Sequence, residues 1–458
     1  MASLTRGASP ARKITAALVS LTISAVLALT ACSPMTSGPA GQPAVKAGAL
    51  PPLDTSKPVT IRFENYNLAS AGLGRDATLK MIAEFEQKFP NIKVETKATG
   101  SQEIFPSIQA QMVAGSPPDV AQLLLREWDL NVEFLQPQDL RALVSSEELD
   151  AHIKSEFPLH PRGLPLTERS GKLQGLAYVF STPTLFYNVN LLQQAGLDPQ
   201  RPPRTWDEVK AAADSIKQRT GADGFYAQCI EQDWCTQGIL YSNGARIMNP
   251  ERTKITFAEP PAIEVFSFWQ KMVQSGGHAT VSEKESTELF QAGKLGMLLT
   301  TSANQSSLLT AAKGKFEVGA TGMPGFGSKQ PVPVNSGSSV AMLATDPAKQ
   351  RASWELMKFL TSERAFTIIT SEIGYLPLRT GIVNDERYLK NWEYLPLIKS
   401  NLEQMDQLES TYSFPGQNHL QIRKLFLQSL QEVLFEGKDP AKTFTDAQTR
   451  AQDLMPRS

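Results

Sequence analysis

From Val59 onward, two kinds of apolar spacing take turns along the chain. Val59, Ile61 and Phe63 are apolar at every second position, which predicts a strand with one buried face. Leu79, Ile82, Phe85 and Phe89 then recur at intervals of three and four, the signature of a helix. Pro90-Asn91 stops that helix, and Ile92-Lys93-Val94 opens a second strand. Ile104, Ile108 and Met112, four apart, predict another helix, ended by Gly115-Ser116-Pro117-Pro118, and Asp119-Val120 leads into Leu123-Leu124-Leu125. Strand and helix in alternation point to an α/β lobe with a mainly parallel sheet.

A second set of elements starts near Gly171. Lys172 to Tyr178 and Thr184 to Asn188 read as extended, and the latter leads into Leu191-Leu192-Gln193-Gln194-Ala195-Gly196. Thr205 and Glu208 have the spacing of a capping box for the next helix. Leu289-Phe290 lies in a helix that Gly293 ends, and Leu295-Gly296-Met297-Leu298-Leu299 reads as a buried strand. Ile422, Phe426, Leu430, Val433 and Leu434 mark an amphipathic helix near the C-terminus. Trp206, Trp269 and Trp354 sit at core positions of their helices.

The N-terminus breaks this pattern. Arg6, Arg12 and Lys13 precede an apolar run from Ile14 to Leu29, short for a membrane span of about 20 residues, and the arrangement is that of an export signal over 1–31. Leu29-Thr30-Ala31-Cys32 resembles a bacterial lipobox, and that resemblance implies lipidation of Cys32 and a membrane anchor. Residues 32–57 are rich in Pro, Gly and Ser and poor in large apolar side chains, so they read as a flexible tether. With a net charge of -1 over 458 residues, the chain offers no basic surplus for nucleic acid.

Two further cysteines, Cys229 and Cys235, are six apart; in an exported chain they form a small-loop disulfide or remain two free thiols. His152, His160, His278 and His419 have no ligand spacing, and no metal or cofactor is expected. No GxSxG elbow, HExxH helix or Walker A loop points to catalysis, although two acidic loops could supply a glycosidase pair.

Four stretches in order carry a resemblance to a known family. They are Phe85 to Val94, Ala114 to Val120, Leu185 through Asp207-Glu208, and Phe290 to Met297. Together they are similar to the extracellular solute-binding proteins of carbohydrate ABC importers, the group that includes maltose-binding and glycerol-3-phosphate-binding proteins. The resemblance implies an α/β, two-lobed periplasmic-binding-protein fold, with the ligand cleft between lobes joined by hinge crossings. Carried onto this chain, lobe 1 spans 58–180 and 335–388, and lobe 2 spans 182–333 and 389–456. The crossings fall near Ser181-Thr182-Pro183 and Val332-Pro333-Val334. The implied protein is a monomeric, lipid-anchored receptor on the extracytoplasmic side of the membrane. It takes up a sugar or polyol and hands it to the ABC permease subunits.

A sugar receptor needs flat apolar faces for C–H surfaces and polar groups for each buried hydroxyl. Tyr66, Glu103 and Trp128 lie in loops after the predicted strands of the first lobe, and Ser181 lies at the first crossing. Trp234 lies inside the Cys229–Cys235 loop, either as a stacking face or as a cover for the lobe. Ser302 and Asn304 come after a buried strand where a helix opens, where free N–H groups suit hydroxyls or a phosphate. Asn335 to Ser339, with Gly337 and Ser338, and Gly374-Tyr375-Leu376-Pro377 resemble ligand-contacting stretches of the glycerol-3-phosphate branch, which implicates Tyr375. Where that branch has a phosphate-contacting Arg this chain has Pro415, followed by Gln417 and Asn418. A Pro cannot make the paired charge-assisted bonds of an Arg, so a neutral saccharide is favoured over a glycerol-3-phosphate or glycerophosphodiester ligand. A secreted carbohydrate-active enzyme is the reading from a different class.

Overall fold

The structure, a computed structural model, describes residues 48, 50–69 and 73–456. The expected export signal, Cys32 and the tether as far as residue 47 lie outside the described residues. Two principal sheets are built from β1 (Val59–Asn65), β2 (Ile92–Ala98), β3 (Val120–Leu124), β4 (Leu176–Ser181), β5 (Pro183–Asn188), β6 (Asp223–Ala227), β7 (Leu295–Thr301), β8 (Val318–Gly322) and β9 (Ser336–Met342). The first has the order β2-β1-β3-β9-β4 and the second β8-β5-β7-β6. Every residue of β3, β4 and β5 is buried, as expected of strands covered on both faces.

The expectation of a mainly parallel sheet is corrected to a mixed one. β1 runs parallel to β2 and β3, but β9 is antiparallel to both β3 and β4. In the second sheet β5 is antiparallel to β7 and β8, and only β6 and β7 are parallel. The reason is the route of the chain. β5 follows β4 directly across Thr182, and β9 enters the first sheet from the other lobe, so neither β5 nor β9 comes after a helical crossover within its own sheet.

Two separate hydrophobic clusters mark the two lobes. One gathers Phe63, Phe85, Leu123, Phe180, Val340 and Trp354; the other gathers Phe186, Trp206, Phe225, Trp269, Leu298 and Phe426. Trp206, Trp269 and Trp354 are core residues in them. Thr205 and Glu208 form the expected capping box of the helix Trp206–Thr220. Two positions differ from the periodicity. Leu79 is on the exposed face of the helix Leu73–Lys88, whose buried side is set by Ala77, Met81, Ile82 and Phe85, and Phe89 lies just past its end.

Two expected boundaries also shift. Leu50 donates its N–H to the Leu143 carbonyl at 3.1 Å and packs with Leu53 against the first cluster, so the chain is docked before residue 57, where the tether was to end. Leu389, Ile398, Met405 and Leu408 also belong to the first cluster, and the second resumes only with Phe414. Apolar burial, rather than chain order, decides which lobe each segment joins.

Three segments cross between the lobes side by side. The first runs through Thr182. The second includes Pro333 to Asn335, whose Pro333 carbonyl accepts from Glu409 N at 3.0 Å. The third, Glu409 to Thr411, is tied to it again by Thr411 N donating to Asn335 Oδ1 at 2.8 Å. Buried Asn401, on the helix Leu395–Glu403, clamps the first crossing: its Nδ2 donates to Thr182 Oγ1 at 2.8 Å, Thr184 Oγ1 at 2.8 Å and the Pro183 carbonyl at 3.2 Å. These bonds all join uncharged groups.

Candidate ligand cleft

The C-terminal ends of β1, β3 and β4 converge at the crossings, and the floor of the first lobe is organised by one side chain. Gln122 stands in the middle of β3 and is fully buried. Its Oε1 accepts from the backbone of Tyr66 at 3.0 Å and Asn67 at 3.3 Å. Its Nε2 donates to Ser338 Oγ at 2.8 Å and Asn67 Oδ1 at 3.3 Å. The Tyr66 hydroxyl is hydrogen-bonded with Ser338 and Tyr375, so three of the expected site residues meet in one network. Burial pushes both phenols above their ordinary value, and they remain neutral hydrogen-bonding groups at physiological pH. Gly337 brings β9 close to β4: at φ +106 a Cβ there would lie 2.0 Å from the Val179 carbonyl oxygen, which only glycine avoids.

The second lobe contributes the end of β7 and the turn into the next helix. Ser302 donates its N–H to the Thr182 carbonyl at 3.0 Å, which places it beside the first crossing. Asn304 donates to Thr300 Oγ1 at 2.9 Å, and Thr300 donates to Gln228 Oε1 at 2.5 Å. Gly374 of the first lobe meets this segment directly. A Cβ on it would lie 3.4 Å from the Ala303 carbonyl oxygen, Gln305 Cβ and Ser306 N. Its φ of +111 is a second position that calls for glycine.

Several buried polar atoms around this seam have no partner among the described residues. They are Asn65 Nδ2 and Asn67 Nδ2 on the first lobe, Ser181 Oγ and Thr411 Oγ1 at the crossings, and Ser302 Oγ with both amide atoms of Gln305 on the second lobe. Buried polar groups are ordinarily paired, so a concentration of unpaired ones marks a place built for a hydroxyl-bearing partner or solvent.

Four arginines near the crossings each sit against a carboxylate. Arg126 Nε is 3.3 Å from Glu127 Oε1, and Arg423 Nε is 2.7 Å from Asp233 Oδ1. Asp129 of the first lobe takes Arg169 at 2.6 Å and, across the seam, Arg252 at 2.9 Å. Arg252 also donates to the Ser413 carbonyl at 2.8 Å. His419 is buried at the start of the helix His419–Glu436. Burial, reinforced by Arg423 and Arg126, holds its imidazole down at about 4, although Asp233 pulls the other way.

The remaining expected residues lie elsewhere. Trp128 is 1% exposed and packs inside the first cluster, where a Cβ on Gly175 would touch its ring. Trp234 is 4% exposed within the second cluster, on a helix, Asp233–Ser242, that is buried on all sides; its burial favours the covering role over the stacking face. Cys229 and Cys235 are joined in a disulfide at the start of that helix. Glu103 is exposed and folds its carboxylate over Gly100. Gln417 is exposed beside Gly416, which abuts Pro456, and Asn418 donates to the Leu454 carbonyl at 2.9 Å, so this turn packs on the C-terminal helix.

The periodic reading passed over Gln122, Gln305, Asn401 and His419. Gln122 had a signal, being the one polar residue between Val120 and Leu125. Gln305 and Asn401 sit among other polar residues and had none. A cavity of 870 Å³ lined by Thr380, Val383, Trp392, Leu395 and Lys399 holds none of the expected residues. It is built from residues 380–403 alone, so it lacks the contacts from both lobes that closure on a ligand requires.

Known proteins share this architecture. The cyclic alpha-maltosyl-1,6-maltose binding protein from Arthrobacter globiformis superposes with a TM-score of 0.72 at 20% identity, over 87% of this chain and 98% of that one. UgpB from Mycobacterium tuberculosis, solved with glycerophosphocholine, gives 0.73 at 21% identity, over 86% and 98%. In sequence, a binding protein of Brucella abortus is 26% identical over 67% of this chain and 74% of its own length. The sn-glycerol-3-phosphate-binding periplasmic protein UgpB of Escherichia coli is 24% identical over 66% and 72%. The model of the bacterial extracellular solute-binding proteins matches residues 80–396, more than half of the chain. The likeness in fold and the reach of that match agree with the two lobes and their crossings: the chain belongs to the bacterial extracellular solute-binding protein family.

Proposed function

We propose that this protein captures a neutral sugar or polyol between its lobes and delivers it, unchanged, to the permease of an ABC importer. The observation that carries this reading is the make-up of the seam. Unpaired buried amides and hydroxyls come from both lobes, while Arg126, Arg169, Arg252 and Arg423 already face carboxylates. Hydroxyl-rich ligands need many neutral donors and acceptors, whereas a phosphate calls for uncommitted cations. Pro415, standing where the glycerol-3-phosphate branch has an Arg, supports the same choice.

Ligand contacts with both lobes would favour the closed form, and closure is the signal a permease can read. The lipobox-like Leu29-Thr30-Ala31-Cys32 supports a lipid anchor through Cys32 on the extracytoplasmic side. Among the described residues, no helix is long and apolar enough to cross a membrane. The protein would act as a monomer with no catalytic step.

One observation favours a second reading. Arg126 Nη2 is buried without a partner among the described residues, and it would suit the anionic group of a phosphate ester. A thermal-shift panel separates the two. A ligand at 100 times its dissociation constant adds about 2.7 kcal/mol of stability, so maltose, trehalose, glucose and sorbitol can be compared with glycerol 3-phosphate and glycerophosphocholine. The proposal expects its largest shift from a neutral sugar. A shift from the phosphate esters alone would transfer the assignment to the second reading.

A further inference from the structure

Gln305 stands apart from the other polar residues of the cleft. It opens the helix Gln305–Ala312, is 1% exposed, and has neither Oε1 nor Nε2 bonded to any described residue. Ser302, three residues earlier, has a buried hydroxyl in the same condition. The first lobe reaches the same point, since a Cβ on Gly374 would lie 3.4 Å from Gln305 Cβ, with Tyr375 next in the chain. Gln305 therefore lies on the second lobe, at its contact with the segment of the first that carries the Tyr66–Ser338–Tyr375 network.

A primary amide offers one acceptor oxygen and two donor hydrogens on adjacent atoms. Two neighbouring hydroxyls of a saccharide ring match it, one donating to Oε1 and the other accepting from Nε2. We propose that Gln305 is a specificity-determining residue that reads such a vicinal diol, and that it makes this contact when the lobes close. The inference rests on the neutral-saccharide reading. It adds a consequence for closure. With the lobes apart, water satisfies the amide; with them together, that water is excluded and a diol must replace it. Closure on a ligand without the paired hydroxyls leaves the amide unmet and is disfavoured.

The test compares wild type with Gln305→Met, a substitution of similar volume that removes both polar atoms. Melting temperature without sugar is measured first, then affinity for maltose, trehalose and glucose and for the monodeoxy forms of whichever binds. The expected variant melts at the wild-type temperature or above, because a buried unpaired amide has been removed. It binds the parent sugar at least tenfold more weakly and no longer distinguishes it from the monodeoxy form that wild type rejects. A melting temperature lowered by several degrees would make Gln305 a structural residue and overturn the proposal. So would unchanged affinity in a variant of unchanged stability, with the saccharide reading left standing. Wild type that binds none of the three sugars would overturn the saccharide reading itself, and the role of Gln305 with it.

Discussion

Two buried glutamines at the cleft, one on each lobe, are in opposite states. Gln122 bonds through both amide atoms, to Tyr66, Asn67 and Ser338, and fixes the floor of the first lobe. Gln305 on the second lobe bonds through neither among the described residues. A fully paired amide is a building element, because its partners hold it as firmly as it holds them. An unpaired one at a seam between lobes costs stability and persists only where it has a use. The difference suggests a division of labour, with one lobe presenting a prepared surface and the other bringing groups that gain partners on closure.

The comparison breaks most visibly at Gln122. Gln122→Leu would strand two buried backbone N–H groups and the Asn67 side-chain oxygen, and should cost about 3–9 kcal/mol of unfolding free energy in urea, at 1–3 kcal/mol for each group left unmet. The Gln305→Met change should cost nothing in the same assay. Equal losses from both variants would erase the distinction between the two lobes.

A second effect, of somewhat smaller size, comes from pH. His278 is a fully paired buried residue of the second lobe, with Nε2 accepting from Ala227 N at 3.1 Å and Nδ1 bonded to the Ala279 carbonyl at 2.7 Å. Burial holds it at about 4, below the 6.5 of an unfolded histidine. Its contribution is complete above pH 6.5 and is withdrawn as the pH falls toward 4, because the unfolded chain takes up the proton first. That amounts to roughly 3 kcal/mol by pH 4, with His152 and His419 shifted in the same sense. Urea titrations between pH 7 and 4.5 should show stability falling steadily. A flat profile would contradict the burial of these rings.

The smallest effect belongs to the ion pair across the seam. Arg252 and Asp129 are partly shielded, with side chains 27% and 11% exposed, and pairs of this kind contribute about 1 kcal/mol or less. Arg252→Ala should leave melting nearly unchanged and weaken sugar binding a few-fold, with a reduced dependence on salt, since the pair it removes links the two lobes. Unchanged affinity would show that the pair has no part in holding the closed form.

Much of the fold was legible because it is written in spacing. The alternation at Val59 to Phe63, the four-residue steps from Ile104 to Met112 and the capping box at Thr205 and Glu208 each became the element they predict. Strand direction was not legible, since it depends on which strand is reached after a crossing between lobes. Within the cleft, Tyr66, Ser338 and Tyr375 come together; the place of Tyr66 after a strand points to it, whereas Ser338 and Tyr375 are legible only through the resemblance of their stretches to the glycerol-3-phosphate branch. The rings of Trp128 and Trp234 have the chemistry of a stacking face, yet an aromatic ring serves a core as well as a sugar, and both are buried in clusters. Gln417 carries an amide suited to hydroxyls, but the turn at Gly416 directs that segment to the C-terminal helix. Gln305 carried no periodic signal, because a missing hydrogen bond exists only in three dimensions.

Equilibrium dialysis of the purified protein against the neutral sugars and phosphate esters, followed by mass analysis of the material recovered, tests the central claim most directly. The account predicts that one neutral sugar is retained, saturating at one molecule per chain, and is released chemically unchanged. Recovery of a cleaved sugar, or retention of phosphate esters alone, would contradict it.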